Sequence, residues 1–358
     1  MPEPGAWPLA VASTDAADRG TGSRPAVRPR PSPRPRAAAP DGPERPRLTV
    51  ALTFDHDGIS TSVEGDLGPF DRSRGEFGVR VGVPRILDLL ARHDVPATFF
   101  VPAHTAVTFP QSVAAIVGAG HELACHGWAH EDVAQLDEAA ERGILARSRE
   151  AIMAAAGGVA PAGYRAPYWS LAERTLALVE EAGFVYDSSL AWDDYRLARV
   201  RHGDVHAVER SVLGVPGRLV EVPISHQLDD WPHFEPARGG GGAAAPSAVE
   251  EIWLAELRYA HAHAPGGVVT YTMHPEGIGR GSRIAMLERL IVAARELPGV
   301  ASRRALGGGP RRLIAPDDRS RARIGGLAAY SASENPSRRI PGTGSQSRSG
   351  RRMNPSRA

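Results

Sequence analysis

The chain has 358 residues, with 42 basic and 41 acidic side chains and a net charge of +1. Every basic side chain is an arginine, and there is no lysine. This excludes a P-loop lysine for phosphates, a Schiff-base lysine and a lysine general base, and the near-neutral balance argues against a protein built to coat nucleic acid.

The average conceals an uneven distribution. Residues 1–47 hold 8 arginines against 5 acids, residues 315–358 hold 9 against 3, and the span between holds 25 against 33. Residues 1–47 also carry eleven prolines, several alternating with arginine. Such a segment cannot bury enough apolar surface to offset its ordering entropy, so both 1–47 and 315–358 are expected to be disordered tails. The body, 48–314, is long enough for one substantial core. The single Cys125 excludes an intramolecular disulfide and suits a reducing compartment. No run approaches the roughly 18 apolar residues of a membrane span. The first twenty residues lack a basic n-region and an apolar core, so a cytoplasmic location is expected, with no membrane and no nucleic-acid partner.

In chain order, short apolar, β-rich runs fall at Leu48–Phe54, Ala97–Val101, Glu122–Cys125, Ala162–Tyr164, Phe184–Tyr186, Leu219–Ile224 and Gly267–Met273. Helical patterns lie between them. Val83, Ile86, Leu87 and Leu90 repeat at helical spacing behind Pro84, and 110–118, 137–155, 171–182, 247–262 and 282–296 read as further helices. Glycines before His121 and before Phe184 sit where a helix C-cap wants a left-handed residue. Alternation of this kind predicts parallel strands with crossover helices. Seven strands predict an α/β barrel. The glycine-rich run at 239–246 reads as a surface loop.

Polar residues follow the strands: Asp55-His56-Asp57-Gly58, His126-Gly127-Trp128-Ala129-His130, Arg165-Ala166-Pro167-Tyr168-Trp169, Asp187-Ser188-Ser189 and His274-Pro275-Glu276. In such barrels the strand C-termini converge on one mouth. His126 and His130, four apart, would face the same way on a helical turn. Two histidines and one aspartate leave positions open on a divalent ion, as a catalytic site requires. Either Asp55 or Asp57 can bind it while the other serves as base. Arg165 can grip Asp55 in two places. His274 is either a third ligand or a general acid. Together these groups suit metal-assisted hydrolysis of an amide-type C–N bond.

The segments TFDHDG, HGWAH, RAPYW, YDSSL and TMHPEG, in that order, resemble the five motifs of the polysaccharide deacetylase family, the NodB homology domain, over roughly residues 48–300. The resemblance implies a distorted (β/α)7 barrel and a divalent metal, most commonly Zn2+. It implies Asp55 as catalytic base, Asp57, His126 and His130 as metal ligands, and Arg165 as the group orienting Asp55. It implies that the Tyr168 backbone N–H stabilises the oxyanion, and that Asp187 tunes His274 as catalytic acid. Two features depart from the family pattern. His56 splits the usual Asp-Asp-Gly, and the fourth motif lacks its Asp-x-Asp-Trp form, with Ser188, Ser189 and Trp192 near those places. These departures are similar to a subgroup containing an intracellular peptidoglycan-deacetylase-like protein, allantoinases and cyclic imide hydrolases, whose members are often homo-oligomers. The expected substrate is accordingly an N-acyl or small cyclic amide, with an N-acetylated sugar as the alternative. Trp128, Trp169, Trp192 and Trp231 are candidates to stack on it.

Overall fold

The computed structural model describes residues 46–235 and 244–305. Residues 1–45 and 315–358 of the proposed tails, and residues 239–243 of the glycine-rich loop, lie outside the described residues.

All eight residues of Leu48–Asp55 (β1) are buried, the pattern of a parallel strand covered on both faces. It is followed in chain order by Thr98–Val101 (β2), Glu122–Cys125 (β3), Gly163–Tyr164 (β4), Tyr186–Asp187 (β5), Ala198–His202 (β6), Val205–His206 (β7), Ser211–Val212 (β8), Val215–Glu221 (β9), Gly267–Met273 (β10) and Val300–Arg303 (β11). Seven strands run parallel in the order β10-β1-β2-β3-β4-β5-β9. All seven predicted runs are among them. Among the described residues no ladder joins β9 to β10; a single parallel bridge ties Asp229, in the segment after β9, to Thr272 on β10. The result is the distorted seven-stranded α/β barrel that the alternation predicts.

Two parts of the sheet were not expected. The segment 198–221 folds into an antiparallel ribbon, with β6 paired to β9 across an irregularity at Arg199–Arg201 and β7 paired to β8. Its polar, arginine-rich sequence gives no apolar run for most of its length. Strand β11 pairs with the first half of β1, while β2 pairs with its last three residues, so β11 fills the side that the short β2 leaves open. Predicted helices occur at Val83–Arg92, Pro110–Gly118, Glu138–Ala155, Thr175–Glu181, Pro246–His263 and Gly281–Glu296. The helix Val83–Arg92 buries Val83, Ile86, Leu89 and Leu90 against the sheet. Among the described residues no helix is long and apolar enough to cross a membrane.

The core centres on β1 and β10. Phe54 stacks on Phe99 at 4.9 Å, and buried Trp253 lies against Tyr271, whose hydroxyl donates to the Trp253 carbonyl at 3.0 Å. Near the mouth the packing brings backbones together. A Cβ on Gly82 would lie 2.2 Å from the Pro275 carbonyl oxygen, so the helical turn at 78–82 abuts the segment after β10 only because residue 82 has no side chain. Gly143, inside the helix Glu138–Ala155, faces open space instead. Gly82→Ala should therefore cost about 1–3 kcal/mol of stability through overpacking. Gly143→Ala should add about 0.5–1 kcal/mol through helix propensity. Chemical denaturation of the two variants checks both signs.

Candidate active site

The strand ends deliver the predicted side chains to one buried cluster. Asp55 is the last residue of β1, and Asp57 follows it by two, so both point to the same side of the extended chain. His56 points the other way, its Nε2 3.0 Å from the Ser112 hydroxyl, and burial pushes its pKa down to about 4. The residue that splits the Asp-Asp pair is thus turned out of the cluster. Gly58 then takes a left-handed φ of +57°, and a Cβ there would press on Thr105 at 3.1 Å. The Thr105 and Ser60 hydroxyls both donate to the Asp57 carbonyl.

His126 follows β3 and is tied to β2 by its N–H on the Val101 carbonyl at 3.1 Å. The expected helical turn between His126 and His130 is absent. Gly127 and His130 adopt φ of +70° and +66°, and the Glu131 carboxylate closes the turn by accepting from the N–H groups of Trp128 (2.8 Å) and Ala129 (2.6 Å). The imidazoles still converge, edge to face, with centroids 5.0 Å apart.

Arg165, after β4, is fully buried and spends its guanidinium on several partners. Nη1 donates to Asp55 Oδ1 at 2.6 Å and to the Thr53 hydroxyl at 3.1 Å, while Nε and Nη2 donate to the Ser188 carbonyl and hydroxyl, each at 2.9 Å. The grip on Asp55 is therefore through one nitrogen rather than the expected two, because Ser188 occupies the others. The guanidinium also stacks on Phe100 at 4.0 Å. Burial would raise the Asp55 carboxyl, but the charges of Arg165, His126 and His274 and the Arg165 hydrogen bond hold it below the usual range.

Asp57 Oδ1 and Oδ2 lie 3.7 and 3.5 Å from Nε2 of His126 and His130. Those separations are too long for hydrogen bonds. Ligand atoms on one tetrahedral zinc ion lie about 3.3–3.6 Å apart, given bond lengths near 2.0–2.2 Å. Asp57 Oδ1 is buried with no hydrogen-bond partner. Burial lowers the pKa of both histidines, and the Arg165 carbonyl accepts from His126 Nδ1 at 2.8 Å, leaving its Nε2 lone pair toward Asp57. Burial, with the nearby carboxylates Glu276, Asp55 and Asp229, pushes Asp57 well up against the opposing charge of His274. Two neutral imidazoles beside a carboxylate that lacks a counter-charge fit a divalent cation, and the donor set suits zinc among others. Asp55 is 3.9 Å from His126 at its nearest approach and is already committed to Arg165, so Asp57 fits the ligand place better.

The expected partnership of Asp187 with His274 is not formed. Asp187 is buried at the end of β5, accepting from the Ser189 N–H and hydroxyl at 2.9 Å each. The carboxylate on His274 is Asp230: it accepts from Nδ1 at 2.7 Å and from the backbone N–H at 3.0 and 3.1 Å, and Asp229 stands 3.7 Å away. The 2.7 Å contact is a direct hydrogen bond, so this His–Asp group is complete without an ion, unlike the Asp57 triad. Asp230 is set by its N–H on the Thr272 carbonyl at 3.0 Å. Asp229, Asp230 and Trp231 supply the paired acids and tryptophan missing around Ser188, and the signal that marks them is the dipeptide of acids before Trp231 itself. Burial disfavours the imidazolium of His274, but the Asp230 hydrogen bond and the charges of Asp230, Asp229 and Asp57 outweigh it and hold its pKa well up. Asp229 is pushed up to about 7, chiefly by burial and the Asp230 charge against the lowering effect of His274.

The aromatic candidates divide. Trp231 lies 5.1 Å from the His274 ring, and Tyr168, 60% exposed, lies edge-on to His130 at 4.4 Å. Tyr168 and Trp169 both hold left-handed backbones, at φ of 58° and 54°, a strain of about 1–3 kcal/mol each that marks the turn as specialised. Trp169 rests on His226 at 4.8 Å. Trp128 carries the guanidinium of Arg147 at 4.4 Å and Trp192 that of Arg201 at 4.7 Å, and Arg74 lies over Trp231 at 5.2 Å, so each of these rings has one face taken by an arginine. If Asp230 holds the proton on His274, Asp230→Asn should lower the His274 pKa by about one unit or more. Its imidazolium would then be lost at lower pH, which an NMR titration of the ring measures.

Residues 42–186 match the family model described as polysaccharide deacetylase. The peptidoglycan deacetylase of Helicobacter pylori is 32% identical over 261 residues, covering 68% of this chain and 89% of that protein. A Mycobacterium smegmatis crystal structure classed with the polysaccharide deacetylases superposes with a TM-score of 0.65 and 34% identity, covering 84% of this chain and 98% of that one. The Puue allantoinase structure, at 24% identity and a TM-score of 0.61 over 75% of this chain and 91% of that one, shares the fold. By its sequence and by its barrel alike, the chain belongs to the polysaccharide deacetylase family.

Proposed function

We propose that the protein is a divalent-metal-dependent hydrolase of non-peptide C–N bonds, with Zn2+ as its ion and an N-acetylated amino sugar of the peptidoglycan or chito-oligosaccharide type as its substrate. One observation carries this reading: Asp57, His126 and His130 gather three ligand atoms that do not hydrogen-bond one another, in the same buried cluster as an arginine-held carboxylate, Asp55, and a carboxylate-held imidazole, His274. The sugar assignment is supported by the peptidoglycan deacetylase name of the relative from Helicobacter pylori.

Asp57, His126 and His130 would hold the ion, which when bound lowers the pKa of a water toward 7 and polarises the substrate carbonyl. Arg165 keeps Asp55 ionised and fixes Oδ1, leaving Oδ2 to take a proton from the attacking water. The Tyr168 N–H, aimed by the left-handed turn, stabilises the developing oxyanion. His274, its Nδ1 bound to Asp230 and its imidazolium favoured by that carboxylate, gives its Nε2 proton to the leaving nitrogen. A C–O bond forms, the C–N bond breaks, and a carboxylic acid and an amine leave. Asp187 has no part in this proton path.

The recessed position of the groups favours a second substrate reading, the small cyclic amides. Asp55 and His126 are each 2% exposed and His274 8%, which suits a ligand that enters whole. Metal-replete enzyme assayed on N-acetylglucosamine oligomers and muropeptide fragments, beside allantoin and succinimide, separates the two. Release of acetate from the sugars, abolished by chelation, is expected; activity confined to the cyclic amides would replace the sugar reading, and activity that survives full metal removal would end the metal reading. On the active substrate, Asp55→Asn should lower kcat by about 10²–10⁴-fold.

A further inference from the structure

Asp187 and Glu221 form a buried pair that the proposed proton path does not use. Asp187 ends β5, Glu221 ends β9, and the two are paired in register. They are 0% and 1% exposed. Both accept the same N–H, that of Ser189, at 2.9 Å on Asp187 Oδ2 and 3.1 Å on Glu221 Oε1. Glu221 Oε1 also accepts from the Leu190 N–H at 2.9 Å. Glu221 Oε2 finds no donor, because the group beside it is the other carboxyl. Among the described residues no arginine or histidine bonds to either. The Arg165 charge acts on Asp187 but its donors go to Asp55, Thr53 and Ser188. The buried Tyr164 phenol also feels the Asp187 charge. Two adjoining buried carboxylates that share an N–H and bond to no cation are not both ionised in such a place.

What the pair holds is the mount of Arg165. The Ser189 hydroxyl donates to Asp187 Oδ1 at 2.9 Å and accepts from the Ala166 N–H at 2.8 Å. The Ser188 hydroxyl donates to the Val222 carbonyl at 3.0 Å, next to Glu221, and accepts from Arg165 Nη2. Ser188 therefore holds the guanidinium of Arg165 and Ser189 the peptide that follows it, and the carboxyl pair fixes Ser189 and, through the chain, its neighbour Ser188.

We propose that Asp187 and Glu221 share one proton, carried on Glu221 Oε2 and donated to Asp187, and that this neutral-plus-anion pair is the positioning element behind Arg165 and hence behind Asp55. Burial drives Glu221 well up and Asp187 up, in the direction such sharing requires. The role rests on the reading of Asp55 as base, whereas the shared proton itself does not.

Two variants test it. In Glu221→Gln the amide oxygen still accepts from Ser189 and Leu190 and the NH2 replaces the shared O–H donor, so the protein should keep kcat within about twofold. Glu221→Ala removes the donor and loosens the segment of Ser189 and Leu190 beside Ser188, so kcat should fall about tenfold to a hundredfold with KM little changed, as expected when a catalytic group loses its aim. Infrared difference spectra of wild type against Glu221→Gln at pH 8 should show a protonated carboxyl band lost in the variant. Absence of that band overturns the shared proton even if Glu221→Ala fails to fold or no substrate is turned over. A Glu221→Gln variant as impaired as Glu221→Ala, or a folded Glu221→Ala with unchanged kcat, overturns the positioning role.

Discussion

The site depends on one buried guanidinium. Arg165 joins the ends of five parallel strands: its side chain touches Thr53 and Asp55 on β1, Phe100 on β2 and Ser188 after β5, its carbonyl holds His126 after β3, and its own place is at the end of β4. A buried cation is costly unless fully satisfied, and its loss would leave Asp55 as an uncompensated buried charge. Carboxylate, imidazole and guanidinium therefore hold one another in place, and the short β4 and β5 can be brief because side chains complete what few ladder bonds begin.

Around that centre the molecule sorts its ionisable groups by what each is bonded to. Arg165 holds the Asp55 carboxyl down and Asp230 holds the His274 imidazole up, while burial, aided by the charges of neighbouring cations, lowers His126 and His130. Asp57 is the exception, a buried carboxylate with no cation bonded to it. In the proposed mechanism a base, an acid and a set of ligands so close together need these separate environments, since without them the protons would redistribute.

Much of this was legible in the sequence, and for a physical reason. A strand buried on both faces is written as an apolar run, and its end is written as the first polar residues, so β1, β3, β4 and β10 announced Asp55, His126, Arg165 and His274. Of the ribbon only the buried end of β9, from Leu219, was legible; residues 198–218 were not, because they are largely exposed and carry no apolar run. Asp230 was missed for a different reason. It lies in a stretch with little regular structure and reaches His274 across 44 residues of sequence, a contact that the tertiary fold alone creates. Asp187 was assigned to His274 by motif order, yet β5 is parted from β10 by β9 on one side of the sheet, and its carboxyl serves the serines instead. The turn holding His130 was read as helical from its spacing, but left-handed residues and the Glu131 carboxylate bring the imidazoles together without a helix.

The central claim is that the Asp57 triad, and not the acid-rich group around His274, is the metal centre. Anomalous diffraction from zinc-loaded crystals, recorded on both sides of the zinc edge, tests it most directly. The account predicts one strong peak between Asp57 Oδ, His126 Nε2 and His130 Nε2, with His274 still bonded to Asp230. A peak at Asp229, Asp230 and His274 with none at the triad would contradict it.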